Sequence, residues 1–90
     1  MVKEKTKKAE STSDKKSEVK ALMLYNDDVN TFEFVIESLV DVCSHEEIQA
    51  EQCAMITHMK GKCSIKNGAV SELEPMMKAL LDRGLMADIR

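Results

Sequence analysis

Two short stretches of the chain carry the side chains best suited to bind a charged ligand. Asn26, Asp27 and Asp28 directly follow an apolar run, and His58 lies three residues before Gly61. Carboxamide, carboxylate and imidazole groups accept hydrogen bonds, so together they could surround an ammonium ion. Apolar residues could wall a hole beside that ion, namely Phe32, Val35 and Ala54. A charged amine next to an apolar side chain is typical of a peptide N-terminus, which this combination predicts as the ligand. In isolation, the same residues would be an ordinary turn and an ordinary helical histidine.

Cysteines and histidines form a second group with possible chemistry, either metal binding or nucleophilic attack. The group comprises Cys43, His45, Cys53, His58 and Cys63. Its spacing contains no CxxC or HxxxH zinc pattern, and no local motif places a cysteine with a histidine and an orienting acid. The sequence therefore predicts no metal, no cofactor and no enzymatic activity, and three reduced thiols.

Glu37-Ser38-Leu39 raises a different class of function, because acyl carrier proteins attach their cofactor to a serine in a similar acidic context. Here the triplet falls inside an amphipathic helical pattern with no loop before it. An ordinary helical serine is the preferred interpretation, and a carrier protein remains a distant alternative.

Composition narrows the function classes further. The chain has 90 residues, with 13 Lys plus Arg against 16 Asp plus Glu, which argues against a general nucleic-acid binder. Its apolar runs are far shorter than a membrane span, and no secretory signal is evident, so we expect a cytoplasmic protein with no membrane partner.

Residues 1–20 carry a net charge of +3 and residues 21–90 a net charge of −6. We therefore divide the chain into a disordered basic tail, 1–18, and one folded domain, 19–90.

The pattern in 19–90 predicts three strands and three helices. Val19 to Tyr25 has apolar residues on both faces, which is typical of a strand buried on both sides. A helix with Phe32, Val35, Ile36, Leu39, Val40 and Cys43 on its apolar face follows, and a second one has Ile48, Met55, Ile56 and Met59. Strand 62–66, a turn at Asn67-Gly68, a third helix and strand 85–89 complete the chain.

Helix ends are marked by capping residues. Ser44 with Glu47, and Ser71 with Glu74, have the spacing of capping boxes, and Pro75 then falls in a first helical turn. Gly61 and Gly84 suit helix C-termini. The predicted fold class is α+β in the order βααβαβ, with a three-stranded antiparallel sheet packed against three helices.

The sequence resembles the ClpS family, adaptors of the bacterial N-end rule pathway. Three segments carry the resemblance: Tyr25-Asn26-Asp27-Asp28, Glu33-Phe34-Val35-Ile36-Glu37 and Thr57-His58-Met59-Lys60-Gly61-Lys62. It is strong over residues 19–66 and weak over 67–90. It implies a βααβαβ fold, binding of substrates that begin with Phe, Leu, Tyr or Trp, and their delivery to the N-domain of a ClpA- or ClpC-type unfoldase for degradation by ClpP. The basic tail would take part in delivery.

The resemblance also assigns site residues. Asn26, Asp28 and His58 would bind the α-amine of the substrate. The side-chain pocket would be lined by Leu24, Asp27, Asn30, Phe32, Val35, Ala54, Thr57 and Leu85. Phe32 matches a position, usually Met, that excludes β-branched residues. Asn30, Ala54 and Thr57 depart from the common Thr, Met and Val. The hairpin and third helix after residue 66 are shorter than is usual in the family. The alternative function is a peptide-binding regulatory module that docks on an AAA+ unfoldase without N-end specificity.

Overall fold

Three strands and three helices make up the described part of the chain. The computed structural model describes residues 18–90, so the predicted tail lies outside it except for Glu18. In chain order the elements are β1 (Lys20–Tyr25), α1 (Phe32–Cys43), α2 (Glu47–Lys60), β2 (Lys62–Gly68), α3 (Val70–Asp82) and β3 (Met86–Ile89). The predicted βααβαβ order and α+β class are confirmed.

β1 is the central strand of an antiparallel sheet with the order β2-β1-β3. Its last residue, Tyr25, lies opposite Lys62 of β2 and Met86 of β3. The register to β2 shifts between Leu22 and Met23, where the opposite strand carries one extra residue. The C-terminal end of β1 is therefore held from both sides, and the loop that follows it starts from a fixed position.

The helices cover one face of this sheet. Leu22 and Leu24 of β1 are 0% and 1% exposed, whereas Met23 and Tyr25 on the opposite face are half-buried. The prediction of a strand buried on both sides was wrong, because no second layer covers the other face within residues 18–90. Val19, the first residue of the predicted strand, is exposed.

An aliphatic core lies between the sheet and the helices. Each helix contributes to it, and the fully buried members include Leu39 and Cys43 from α1, Ala50 from α2, and Leu73 and Leu80 from α3. Burial of such side chains stabilises the fold by about 1.5–3 kcal/mol for each large one. No aromatic side chain belongs to the buried cluster in the described residues.

The predicted capping boxes are wrong. α1 is capped by Thr31, whose Oγ1 accepts a hydrogen bond from the N–H of Phe34 at 3.0 Å. Ser44 instead ends α1 in the left-handed conformation, with φ of 59°, and its N–H donates to the carbonyl of Leu39. Since Ser44 serves the end of one helix, it cannot cap the next, and α2 begins at Glu47 without a side-chain cap.

α3 begins at Val70, earlier than predicted. β2 continues through Asn67 and Gly68, so the predicted turn there is absent and Ala69 directly links the strand to the helix. The N–H of Ala69 donates to Glu72 Oε1 at 3.3 Å, so Glu72 and not Glu74 reaches back to the helix start. Pro75 consequently lies in the second turn, and its missing N–H leaves the carbonyl of Ser71 without a helical donor.

α2 buries a different face from the one its large apolar residues predicted. Ile48, Met55, Ile56 and Met59 are 69%, 47%, 41% and 72% exposed, whereas the buried residues are Ala50, Ala54 and Thr57. The face of α2 that packs against the rest of the fold is therefore formed by small side chains. No helix within residues 18–90 is long and apolar enough to cross a membrane.

Candidate functional site

A cavity of about 560 Å³ opens beside the C-terminal end of β1, between the following loop, the start of α1 and the last turns of α2. Its wall is formed by Leu24, Tyr25, Asn26, Asp27, Asp28, Asn30, Phe32, Val35, Ala54, Met55, Thr57 and His58. The two stretches singled out in the sequence therefore meet at one site.

One backbone hydrogen bond brings the Asn-Asp-Asp loop to the end of α2. The N–H of Asn26 donates to the carbonyl of Gly61 at 3.0 Å, and the N–H of Gly61 donates to the carbonyl of Thr57 at 2.8 Å. Gly61 has a φ of 93°, which L-residues with side chains rarely adopt. This turn places Asn26 beside the helical turn that carries His58. Both side chains are exposed and can reach a ligand.

Asp27 organises the loop. Its Oδ1 accepts from the N–H groups of Val29 and Asn30, both at 2.8 Å, and its Oδ2 accepts from Asn30 Nδ2 at 3.1 Å. Asn30 Nδ2 also donates to the carbonyl of Gly84 at 2.9 Å, which ties the loop to the end of α3. Asp28 is left as the exposed carboxylate of the loop.

The same hydrogen bonds lower the pKa of Asp27. Partial burial alone would raise it, but the bonds from Asn30 and Val29 stabilise the carboxylate and outweigh that effect, so the pKa lies below the ordinary value of 3.8. The charged form is therefore the one that holds the loop at neutral pH.

Replacing Asp27 by Ala is expected to lower the free energy of unfolding by about 1–2 kcal/mol at pH 7, because three hydrogen bonds to a partly exposed carboxylate are lost. A lowered folded-state pKa means that this contribution is present above about pH 4 and is lost as the pH falls through the folded-state pKa. Urea denaturation of the original protein and of Asp27→Ala, at pH 7 and at about pH 2.5, measures the cost of the substitution and its dependence on pH. An equal cost of Asp27→Ala at the two pH values would contradict a charge-dependent role.

The deeper wall of the cavity is apolar. Leu24 and Ala54 are 1% and 3% exposed, and Val35 is half-buried. Thr57 Oγ1 donates to the carbonyl of Cys53 at 2.7 Å, so its hydroxyl is satisfied within the helix. Phe32 also lines the cavity, and it is 37% exposed. The cavity thus combines polar acceptors with an apolar interior.

The structure brings together all the predicted site residues except one. Leu85 does not line the cavity: it is 2% exposed and belongs to the core. The contact to the site loop comes from its neighbour Gly84, whose carbonyl accepts a hydrogen bond from Asn30. Leu85 is thus near the site in the chain but points elsewhere.

Two lining residues were missed as pocket residues, Tyr25 and Met55. Tyr25 directly precedes Asn26, and Met55 lies one helical turn before His58, so adjacency in the pattern could have indicated both. The hydroxyl of Tyr25 donates to Asp88 Oδ1 at 2.9 Å, which anchors the ring to β3. Desolvation and this hydrogen bond to the charged Asp88 raise the pKa of Tyr25, so the phenol stays protonated at neutral pH.

The other chemical candidates are held in structural roles. Burial raises the pKa of Cys53 to about 11, with the neighbouring Cys63 contributing, and burial also raises the pKa of Cys43, so both are protonated thiols at neutral pH. His45 is buried, and its Nε2 donates to the carbonyl of Ile65 at 2.7 Å. No group of three metal-ligating side chains occurs within residues 18–90.

Ser38 is inaccessible in the folded chain. It is 0% exposed, and Arg83 Nη1 donates to its Oγ at 3.2 Å. A buried hydroxyl between two helices cannot receive a bulky prosthetic arm without unfolding of α1. The burial of Ser38 therefore argues against the acyl carrier alternative.

Comparison with known proteins identifies a family for this chain. The model of the family described as ATP-dependent Clp protease adaptor protein ClpS matches residues 15–88. A comparison with curated protein sequences finds no significant match. Among solved structures, the fold is similar to that of Agrobacterium tumefaciens ClpS2 bound to L-phenylalaninamide, with a TM-score of 0.68 and 22% identity, covering 80% of this chain and 94% of that one. Because the family match spans most of its length, this chain belongs to the ClpS family of Clp protease adaptors.

Proposed function

We propose that this protein is an N-end rule adaptor, which binds substrates that begin with a bulky hydrophobic residue and delivers them to a ClpA- or ClpC-type AAA+ unfoldase for degradation by ClpP in the cytoplasm. The observation that carries this proposal is the cavity beside β1, where three polar acceptors border a pocket with an apolar interior. The adaptor itself performs no chemical step, and its work is recognition and transfer.

The polar rim suits the α-amine of a substrate. A peptide N-terminus carries three N–H donors when it is protonated, and Asn26, Asp28 and His58 offer a carboxamide oxygen, a carboxylate and an imidazole nitrogen. All three side chains are exposed, so they lose water on binding but leave no internal partner unpaired. Asp28 supplies the negative charge that compensates the ammonium.

The apolar interior suits the first side chain. Leu24, Val35 and Ala54 form a wall with room for a benzyl or isobutyl group within the cavity. The similar structure of Agrobacterium ClpS2 contains L-phenylalaninamide, a molecule with a free α-amine, a benzyl side chain and an amide in place of the carboxylate. These are the chemical features of an N-terminal phenylalanine, and they support the same ligand class for this chain.

A binding titration tests the proposed recognition. Labelled peptides that differ only in their first residue, Phe, Leu, Val or Ala, are titrated with the protein by fluorescence anisotropy. We expect tight binding of the Phe and Leu peptides and weak binding of the Val and Ala peptides, because burial of a large side chain contributes about 1.5–3 kcal/mol. Equal affinities for all four, with retained binding to a Clp unfoldase, would instead support the regulatory module without N-end specificity.

The lysine-rich segment 1–17 is expected to serve delivery and not recognition. Its removal leaves every described residue of the cavity wall in place, so peptide affinity should stay within about twofold, a few tenths of a kcal/mol. Degradation of a Phe-initiated reporter by the cognate unfoldase and protease should slow severalfold. Degradation at the original rate after removal of 1–17 would exclude the delivery role.

A further inference from the structure

A second depression lies between α1 and α2, next to the peptide cavity, with which it shares Phe32 and Met55. It has a volume of about 620 Å³, and its apolar surface comes from Phe32, Ile36 and Val40 of α1 and Met55 of α2. The three α1 residues are spaced four apart, so they form one row along the helix. Ile56, 41% exposed, extends the apolar surface on the outer side of α2. We name this depression the α1–α2 groove.

The rim of the groove is acidic throughout. It consists of Glu33, Glu37, Asp41, Glu47 and Glu51, and no Lys, Arg or His of the described part of the chain lines the groove. Among these five carboxylates, only Asp41 has a cationic partner within residues 18–90, namely Arg83 at 3.3 Å. Four carboxylates on the two facing helices therefore have no such partner in the described part of the chain.

The spacing of these acids is electrostatically unfavourable for the free protein. Glu33, Glu37 and Asp41 follow one another at intervals of four residues on α1, and Glu47 and Glu51 do the same on α2. Like charges at this spacing repel, by a few tenths of a kcal/mol for each pair in isolated helices. A cationic segment seated in the groove would relieve the repulsion along both rows.

We propose that the α1–α2 groove is a docking surface for a basic amphipathic helix of a partner protein. A channel between two helices accepts a third helix whose apolar stripe contacts the floor, and lysines or arginines beside that stripe would meet the acidic rim. Anionic lipid surfaces and nucleic acids carry the same sign of charge as the rim and are repelled by it.

The chain's own segment 1–17 is a competing occupant, and composition argues against it. It contains six lysines but few apolar residues, among them Met1, Val2 and Ala9. Such a segment could approach the rim but has no apolar stripe to cover Ile36 and Val40. Its lysines would then pair with the carboxylates of the rim, while the apolar residues of the groove stayed exposed to water.

The test uses the full chain and a peptide of roughly 15 residues, a length that can form several helical turns. The peptide carries leucines at helical spacing on one face and lysines on the other, and both termini are blocked so that the peptide cavity cannot take its N-terminus. A scrambled peptide of the same composition is the control for charge. We expect the amphipathic peptide to bind at least about tenfold more tightly than the scrambled one, and equal binding would overturn the proposal.

Two charge reversals locate the binding. Glu37→Lys with Glu51→Lys alters the groove, and Glu74→Lys with Asp82→Lys makes the same change of net charge on exposed positions of α3. Retained binding of a Phe-initiated peptide shows that each variant is folded. The groove variant should bind the amphipathic peptide at least about tenfold more weakly, and the α3 variant within about threefold of the original. Equal weakening in both would show attraction to net charge only and overturn the proposal.

Amide chemical shifts decide between the two occupants. Replacement of the six lysines in 1–17 by Gln should leave the shifts of Glu37, Val40 and Glu51 unchanged when no peptide is present. Changes confined to the groove would place the chain's own tail in it and would overturn the proposal of a partner helix. Added peptide should shift the groove amides in both proteins.

Discussion

Acetylation of the N-terminus of a Phe-initiated peptide is expected to lower its affinity for this protein by at least about 100-fold. The free α-amine is an ammonium with three donors, and hydrogen bonds in which a charged group takes part contribute roughly 1.5–3 kcal/mol each. An acetylated nitrogen keeps one N–H and no charge, so at least two such bonds are lost. At 1.4 kcal/mol for each factor of ten, the loss exceeds about two decades.

A histidine variant separates the amine contacts from the rest of the site. His58→Ala removes one acceptor and should weaken binding of the free peptide by about tenfold, ~1.4 kcal/mol. Met59→Ala is the matched control, because Met59 is 72% exposed on the same helix and does not line the cavity. The affinities of the original protein and of both variants for the free and the acetylated peptide are measured by fluorescence anisotropy. If the two peptides bind the original protein equally, the cavity does not recognise an N-terminus.

Replacement of Phe32 by Ala is expected to remove most of the discrimination between Phe- or Leu-initiated and Val- or Ile-initiated peptides, which should be at least about tenfold in the original protein. A side chain branched at Cβ carries bulk next to the backbone, where the rigid ring of Phe32 borders the cavity. A forced clash of this kind costs about 1–3 kcal/mol. Phe32 has two χ angles and cannot fold aside as the flexible Met can.

Ala54 tests the deeper part of the same pocket. It is 3% exposed on the cavity wall, so Ala54→Met should reduce the volume of the cavity. The substitution should therefore weaken the binding of Trp- and Tyr-initiated peptides more than that of Leu-initiated peptides. Competition titrations with peptides that differ only in the first residue measure both variants, with thermal melts to show that each is folded. Unchanged discrimination against Val and Ile in Phe32→Ala would assign the selectivity to another residue.

The order of elements was predictable because it depends on local periodicity. The apolar positions of α1 repeat at helical spacing, and Thr31 caps the helix as a short polar residue at its start commonly does. Helix boundaries were less predictable where two elements compete for one residue. Ser44 has the sequence of an N-cap for α2, yet it adopts a left-handed conformation that ends α1. A local motif cannot show which of two helices uses a residue between them.

The candidate site was predictable for a related reason. Most of its residues lie in two segments. One is the loop after β1 together with the start of α1, and the other is the last turns of α2, where the spacing of residues shows which of them share a helix face. Leu85 comes from the far end of the chain, beyond α3. Whether that residue points into the cavity or into the core depends on the path of the chain at Gly84, which no periodic pattern describes.

Residue types and spacing alone thus sufficed for the order of the elements, because that order depends on local periodicity. Three sequence segments sufficed for the family resemblance, and they include the two segments that meet at the cavity. Tertiary packing decided the buried face of α2. Its large apolar residues are exposed, whereas Ala50, Ala54 and Thr57 are buried. That choice opens space for the cavity at Ala54 and leaves Met55 and Ile56 on the surface beside the acidic groove. Packing depends on how side chains from distant segments fill one volume, and a periodic pattern contains no information about that volume.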